Sequence, residues 1–259
     1  MSKLKFRAKI LIPTGLLLTA LLVGTLTFTI IQFSNFNEYL LERRLETATI
    51  GLRTFADDTR RLVIEVGLKI AYDDRLVQAL LNDDRQQIMR VGNQLVAEHG
   101  VTYITVAGAD TLVRARTDEP DNFGDAFRTR SLLEALEGIV SVSYTPVGAR
   151  QIPIRSSLPI FHDGEIIGIV VVGYALDTPK AVESLKERFG AEFTVFVGTE
   201  RVSSTLLNAQ GQSVVGTHMD NPEVLQRVFN NREEFSTNIN LFGEKAGDYN
   251  QAIVMTLEH

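Results

Sequence analysis

The chain has 259 residues, 44% of them hydrophobic and 22% charged, a balance that supports one or two globular domains plus a membrane segment and excludes a disordered chain. It contains no Cys, which excludes a disulfide framework, a thiolate metal site and a cysteine nucleophile. The formal net charge is −6, and the four histidines, His99, His162, His218 and His259, lack the i, i+4 spacing of a metal-binding helix, so neither a catalytic metal nor a cofactor is expected.

At the N-terminus Lys3, Lys5, Arg7 and Lys9 precede an uncharged apolar run from Ile10 to Ile31. Its 22 residues, at helical rise, can span a bilayer core of roughly 30 Å. A secretory signal peptide would normally have an apolar region of about 7 to 15 residues and a small-residue cleavage site, so an uncleaved transmembrane helix is the expectation. Positive charge on the short N-terminal side places residues 1–9 in the cytoplasm and everything after Gln32 outside it. With those four charges set aside, the formal −6 becomes −10 for the exported part, which argues against nucleic acid as a partner.

After the anchor, apolar or small residues recur at Leu41, Leu45, Ala48, Leu52, Phe55, Thr59, Leu62 and Val66, alternating steps of four and three. That is the stripe of a long helix, which either covers a neighbouring sheet or forms the seam of a parallel homodimer. Asp73-Asp74 interrupts it; Arg75 to Leu81 predicts a short helix, and Asp84 to His99 another that stops at Gly100.

From Val101 the periodicity becomes that of strands. "VTYITVAGADTLVRART" predicts a hairpin around Gly108-Ala109-Asp110, followed by a loop with Pro120 and Gly124 and a short helix, "SLLEALEG". "VSVSYTPVGARQIPIRSSLPIF" predicts two strands joined through Pro146 and Gly148, and Glu165 to Tyr174 a fifth strand after an Asp163-Gly164 turn. The expected fold class is α+β, an antiparallel sheet with helices on one side. Tyr103, Phe127 and Phe196 are expected in the core.

The second half repeats this order after a helical connector at about Pro179 to Phe189. "ITVAGADTLVRART" (104–117) aligns with "TVFVGTERVSSTLL" (194–207), Gly124 with Gly216, "SLLEALEG" with "NPEVLQRVFNN" and "SVSY" with "FSTNINLF". "VMTLEH" (254–259) falls opposite "SLPIFH" (157–162), so the second copy is expected to lack its last strand and the chain to be the front part of a longer one.

These features together, with the final hairpin "RSSLPIFHDGEIIGIVVVGY", resemble the double Cache sensory domains of bacterial and archaeal membrane receptors over about residues 35–259. The second module resembles versions common in methyl-accepting chemotaxis receptors. The resemblance implies two tandem PAS-like modules behind the long helix: a helical segment at 32–100, a membrane-distal Cache module at 101–178 and a membrane-proximal, incomplete one at 179–259. It implies an extracytoplasmic sensor in the cell (inner) membrane, with its sensory part periplasmic or extracellular, that binds a small molecule and signals by helix displacement. A chemotaxis receptor is the first expectation; sensor kinases and cyclic-dinucleotide enzymes carry the same exported part.

In the related citrate-type kinase sensors an arginine four residues before the proline of the fourth strand holds a ligand carboxylate, and Arg155 stands four before Pro159. A second stands ten before the loop glycine, as Arg114 does before Gly124; that family's histidine is Thr117 here, which points away from citrate itself. Arg155, Arg114, Arg116 and Tyr144 form the candidate ligand set, since a planar guanidinium grips a carboxylate through two parallel charge-assisted bonds. The matching positions of the second module, Ser203, Thr205 and Tyr249, include no arginine, so that module is expected to be a structural relay. No GxSxG, SxxK or paired-His arrangement is present and no enzyme activity is expected. A membrane-tethered protein-interaction module is the alternative of another class.

Overall fold

The computed structural model of the chain describes residues 6–144, 152–208, 210–233, 235–239 and 250–254. The chain divides into two compact units, 1–47 and 48–259.

Helix α1 runs from Phe6 to Ala71. Within the first unit it carries the stretch Ile12–Phe36, the one described helix segment long and apolar enough to cross a membrane, with mean hydropathy 2.0. Its threonines do not interrupt the apolar surface with free hydroxyls: Thr19, Thr27 and Thr29 donate to the carbonyls four residues back, at 2.8 Å each.

In the second unit α1 continues into the helices α2 (Asp74–Leu81) and α3 (Arg85–His99). Asp73 caps α2 by accepting from the Arg75 and Leu76 amides, Asp84 caps α3 by accepting from the Gln87 amide, and Gly100 closes α3 at φ +69°. From Phe55 onward the stripe predicted on α1 covers the protein's own sheet: Thr59 and Val66 are buried, Phe55 packs against Val63 and Ile154, and Leu62 against the main core. Gly67 lets the helix approach, since a Cβ there would overlap Leu158.

The sheet has five antiparallel strands, β1 (Tyr103–Gly108), β2 (Val113–Arg116), β3 (Ser141–Ser143), β4 (Pro153–His162) and β5 (Glu165–Ala175), in the order β2-β1-β5-β4-β3. Asp163 and Gly164 both have positive φ, as a two-residue hairpin between β4 and β5 requires. The expectation of helices on one side needs correction. Ile104, Val106, Leu158, Ile160, Val170 and Val172 face α1–α3, whereas Ala107, Val113, Ile169 and Val171 pack under Phe127 and helix α4 (Arg130–Leu136) on the other face. Strands buried on both faces, such as β1 with all six residues inside, need cover on both.

Helix α5 (Pro179–Phe189), with Thr178 as N-cap and Gly190 as stop, is the predicted connector. Beyond it lie the hairpin β6 (Thr194–Val197) and β7 (Glu200–Ser204), the short helix α6 (Pro222–Val224) running on into π-helical turns at Leu225–Asn230, and the pair β8 (Phe235–Ile239) and β9 (Asn250–Val254). Met219, Val224, Val228 and Phe235 form its small core. Pro146, Gly148 and Tyr249 lie outside the described residues.

Candidate functional site

Strand register decides which side chains share the face under α4. Along one row Ser143, Arg155, Gly173 and Tyr103 are successive cross-strand partners; along the next, Ser141, Ser157, Val171, Thr105 and Arg116. Partners in register point to the same side of a pleated sheet. Arg155 and Arg116 therefore share a face, on strands β4 and β2.

Arg155 is 1% exposed, the largest fully buried side chain among the described residues. Its Nε, Nη1 and Nη2 make no hydrogen bond, and it enters no ion pair among the described residues. Burial pulls its guanidinium below the usual arginine value, opposed by the Tyr103 phenol. It stays cationic at neutral pH, because arginine starts so high. The guanidinium carbon lies 5.7 Å from the centroid of the Phe127 ring, an attraction of about 0.5–2 kcal/mol. That is less than the several kcal/mol that an uncompensated buried charge costs.

Tyr103 reaches this row because Gly173, between it and Arg155, has no side chain: a Cβ on Gly173 would overlap the Tyr103 ring. Tyr103, expected only as core, is thus a wall of the Arg155 site. No local sequence signal marks it; Gly173 becomes informative only once the strands are in register.

Arg116 is on the same face but already neutralised. Its Nη1 and Nη2 donate to Asp125 at 2.7 and 2.8 Å, and Nη1 also donates to the Asn122 carbonyl at 2.6 Å. The Arg116 guanidinium holds the Asp125 carboxyl below the usual range. This pair ties the β2–α4 loop over the sheet and aims Phe127, whose ring lies 5.8 Å from Arg116. Ser157 Oγ meets Ser131 Oγ at 3.2 Å, anchoring α4 beside the same row.

Two predicted site residues are not brought to Arg155. A β-bulge at Val106/Ala107 makes Arg114 the extra residue of β2 and turns it to Asp83 and Asp110, at 2.8 and 2.9 Å. Tyr144 follows Val142 and Ser143 in the alternation and packs with Phe55 against Val63, Ile154 and Leu176, on the α1 face. A separate cleft of about 410 Å³, between the end of α3 and the start of α5, is lined by Val96, Thr102, Tyr174 and Lys180 and contains none of the candidate residues.

The site is thus a buried cation without a hydrogen bond among the described residues, on an inner face of a five-stranded antiparallel sheet behind a long leading helix. Residues 42–245 match the profile of the double Cache family, described as the double sensory domain of two-component sensor kinases. The chain belongs to this family. The members of this family are sensory rather than catalytic domains. No functionally curated protein matches it in sequence.

Among solved structures, the periplasmic domain of Vibrio cholerae LuxQ is similar at 12% identity and TM-score 0.51, over 82% of this chain and 100% of that one. The sensor domain of the V. cholerae histidine kinase DctB matches at 14% identity and TM-score 0.48, over 84% and 92%. The Campylobacter jejuni chemoreceptor Tlp3, crystallised with isoleucine bound, matches at 17% and 0.44, over 78% and 84%. At these identities the likeness is one of fold.

Proposed function

We propose that the chain is the extracytoplasmic sensory part of a transmembrane receptor and that its membrane-distal module, residues 101–178, binds a small carboxylate on the Arg155 guanidinium. The observation that carries this reading is the buried cation with no hydrogen bond or ion pair among the described residues. A carboxylate would give it a bidentate partner in a site screened from water, with Tyr103, Ser157 and Phe127 as walls. The segment Ile12–Phe36 is the anchor, with the basic N-terminus inside the cytoplasm.

Transmission to the membrane has a physical route. Ser156, next to Arg155 and facing the other way, donates through Oγ to the Val63 carbonyl of α1 at 2.6 Å. A ligand that favours one position of β4 over another therefore biases α1 as well. The family description favours a two-component kinase as effector; a chemotaxis receptor is the second reading, supported by the resemblance of the proximal module at 179–259. Two glycines inserted after Ala48 should abolish signalling and leave ligand affinity unchanged.

The test is calorimetric titration of the full chain in detergent with panels of amino acids and of mono- and dicarboxylates. Saturable binding by one class, weakened about tenfold or more in Arg155→Gln, is expected. Absence of any binder, or equal binding by the variant, would overturn the reading.

A further inference from the structure

The two halves of the second unit share one hydrogen-bond frame. In the first, Val113 N–H donates to the Asp125 carbonyl, Gly124 N–H to Val113 and Phe127 N–H to Thr111; in the second, Arg201 N–H donates to Thr217, Gly216 N–H to Arg201 and Met219 N–H to Thr199. Thr117 Oγ1 accepts from the Ile104 amide as Thr205 Oγ1 accepts from the Phe193 amide, each at 2.9 Å. Both hairpins carry the same bulge, and Gly124 and Gly216 have φ +81° and +85°. Arg201 therefore occupies the place of Val113, on the face equivalent to that of Arg155 and Arg116.

In that place an apolar residue has become a charge, 7% exposed. Arg201 Nη1 donates to Thr217 Oγ1 at 2.9 Å and to the His218 carbonyl at 2.7 Å. Nε and Nη2, the side-on edge of the guanidinium, have no hydrogen bond among the described residues. The loop position that supplies Asp125 in the first half supplies the neutral Thr217 here, so nothing at that point neutralises the charge. Asp220, whose carboxylate acts on Arg201 through its charge, is exposed and makes no ion pair with Arg201 among the described residues. Phe196 lies under the guanidinium at 5.2 Å, and Met219 stands where Phe127 stands in the first half.

We infer that the proximal module carries a second anion site, in which a small carboxylate binds the Nε–Nη2 edge of Arg201. The site rests on residues of its own and does not require that Arg155 bind anything. Its pre-set half, Nη1 held by Thr217 and His218, fixes the plane of the guanidinium, so that little rotamer freedom is lost on binding.

The probe is acetate, titrated into the full chain in detergent micelles with 15N-labelled arginine, with chloride at equal ionic strength as control. The Nε–H resonance of Arg201 is identified by its loss in Arg201→Lys. A saturable shift with acetate, absent with chloride and preserved within about twofold in affinity in Arg155→Gln, is expected. No shift, a shift that chloride reproduces, or a response that vanishes in Arg155→Gln would each overturn the inference.

Discussion

Arg116 and Arg155 flank one ring, that of Phe127, at 5.8 and 5.7 Å, yet only Arg116 has a carboxylate. Two arginines on one face of the sheet thus do opposite work. Arg116 holds a loop closed, and Arg155 holds a charge open. Replacing Arg116 by Met removes three charge-assisted hydrogen bonds from a buried group and should lower stability by about 1.5–3 kcal/mol in urea unfolding. An unchanged midpoint would show that the pair does not tether the loop.

Gly173 is where the β5 backbone passes under the Tyr103 ring. Gly173→Ala forces that ring aside and should destabilise the protein by about 1–3 kcal/mol and weaken any ligand of the Arg155 site. Adding Tyr103→Leu relieves the overlap and should return part of the stability without the binding. Additive losses in the double variant would contradict the contact.

Acid should weaken the fold through identifiable pairs. Asp125, Asp110 and Asp73 are held below the usual carboxylate range, chiefly by hydrogen bonds from Arg116, Arg114 and Arg75. Their folded values are lower than the unfolded value of about 3.9, so the stability they contribute is complete above that pH and lost as pH falls through the folded values. Urea midpoints should be flat from about pH 7 to 5 and fall below about pH 4. The fall should be shallower in Arg116→Met; an identical slope would remove Asp125 from the account.

Asp73 ends the long helix and starts α2, accepting from two amides. Asp73→Ala should cost about 1 kcal/mol, and Asp73→Asn distinctly less, because the amide oxygen still caps. Equal losses would assign the effect to the Arg75 ion pair instead.

Local chemistry made much of this fold legible. Asp73, Asp84 and Gly100 mark helix ends, and Asp163-Gly164 sets the hairpin that carries Arg155 into the sheet. What sequence periodicity missed depends on register. One bulge turns Arg114 away, and one step of alternation puts Tyr144 on the opposite face. The repeat, aligned at 104–117 against 194–207, is out of step by one residue on the first strand and two on the second. Five residues separate Ala107 from Val113, and four separate Phe196 from Arg201. That shorter turn hid the equivalence of Arg201 and Val113 and put Ser203 and Thr205, rather than Arg201, at the positions compared.

The most direct test of the account is thermal unfolding of the full chain and of Arg155→Met, each with and without the carboxylate that calorimetry selects. An unpartnered buried charge kept for a ligand should make the variant more stable than the wild type when free, by about 1–4 kcal/mol, and insensitive to the ligand that stabilises the wild type. A free variant less stable than the wild type, or one that the carboxylate stabilises as much, would contradict a ligand role for Arg155.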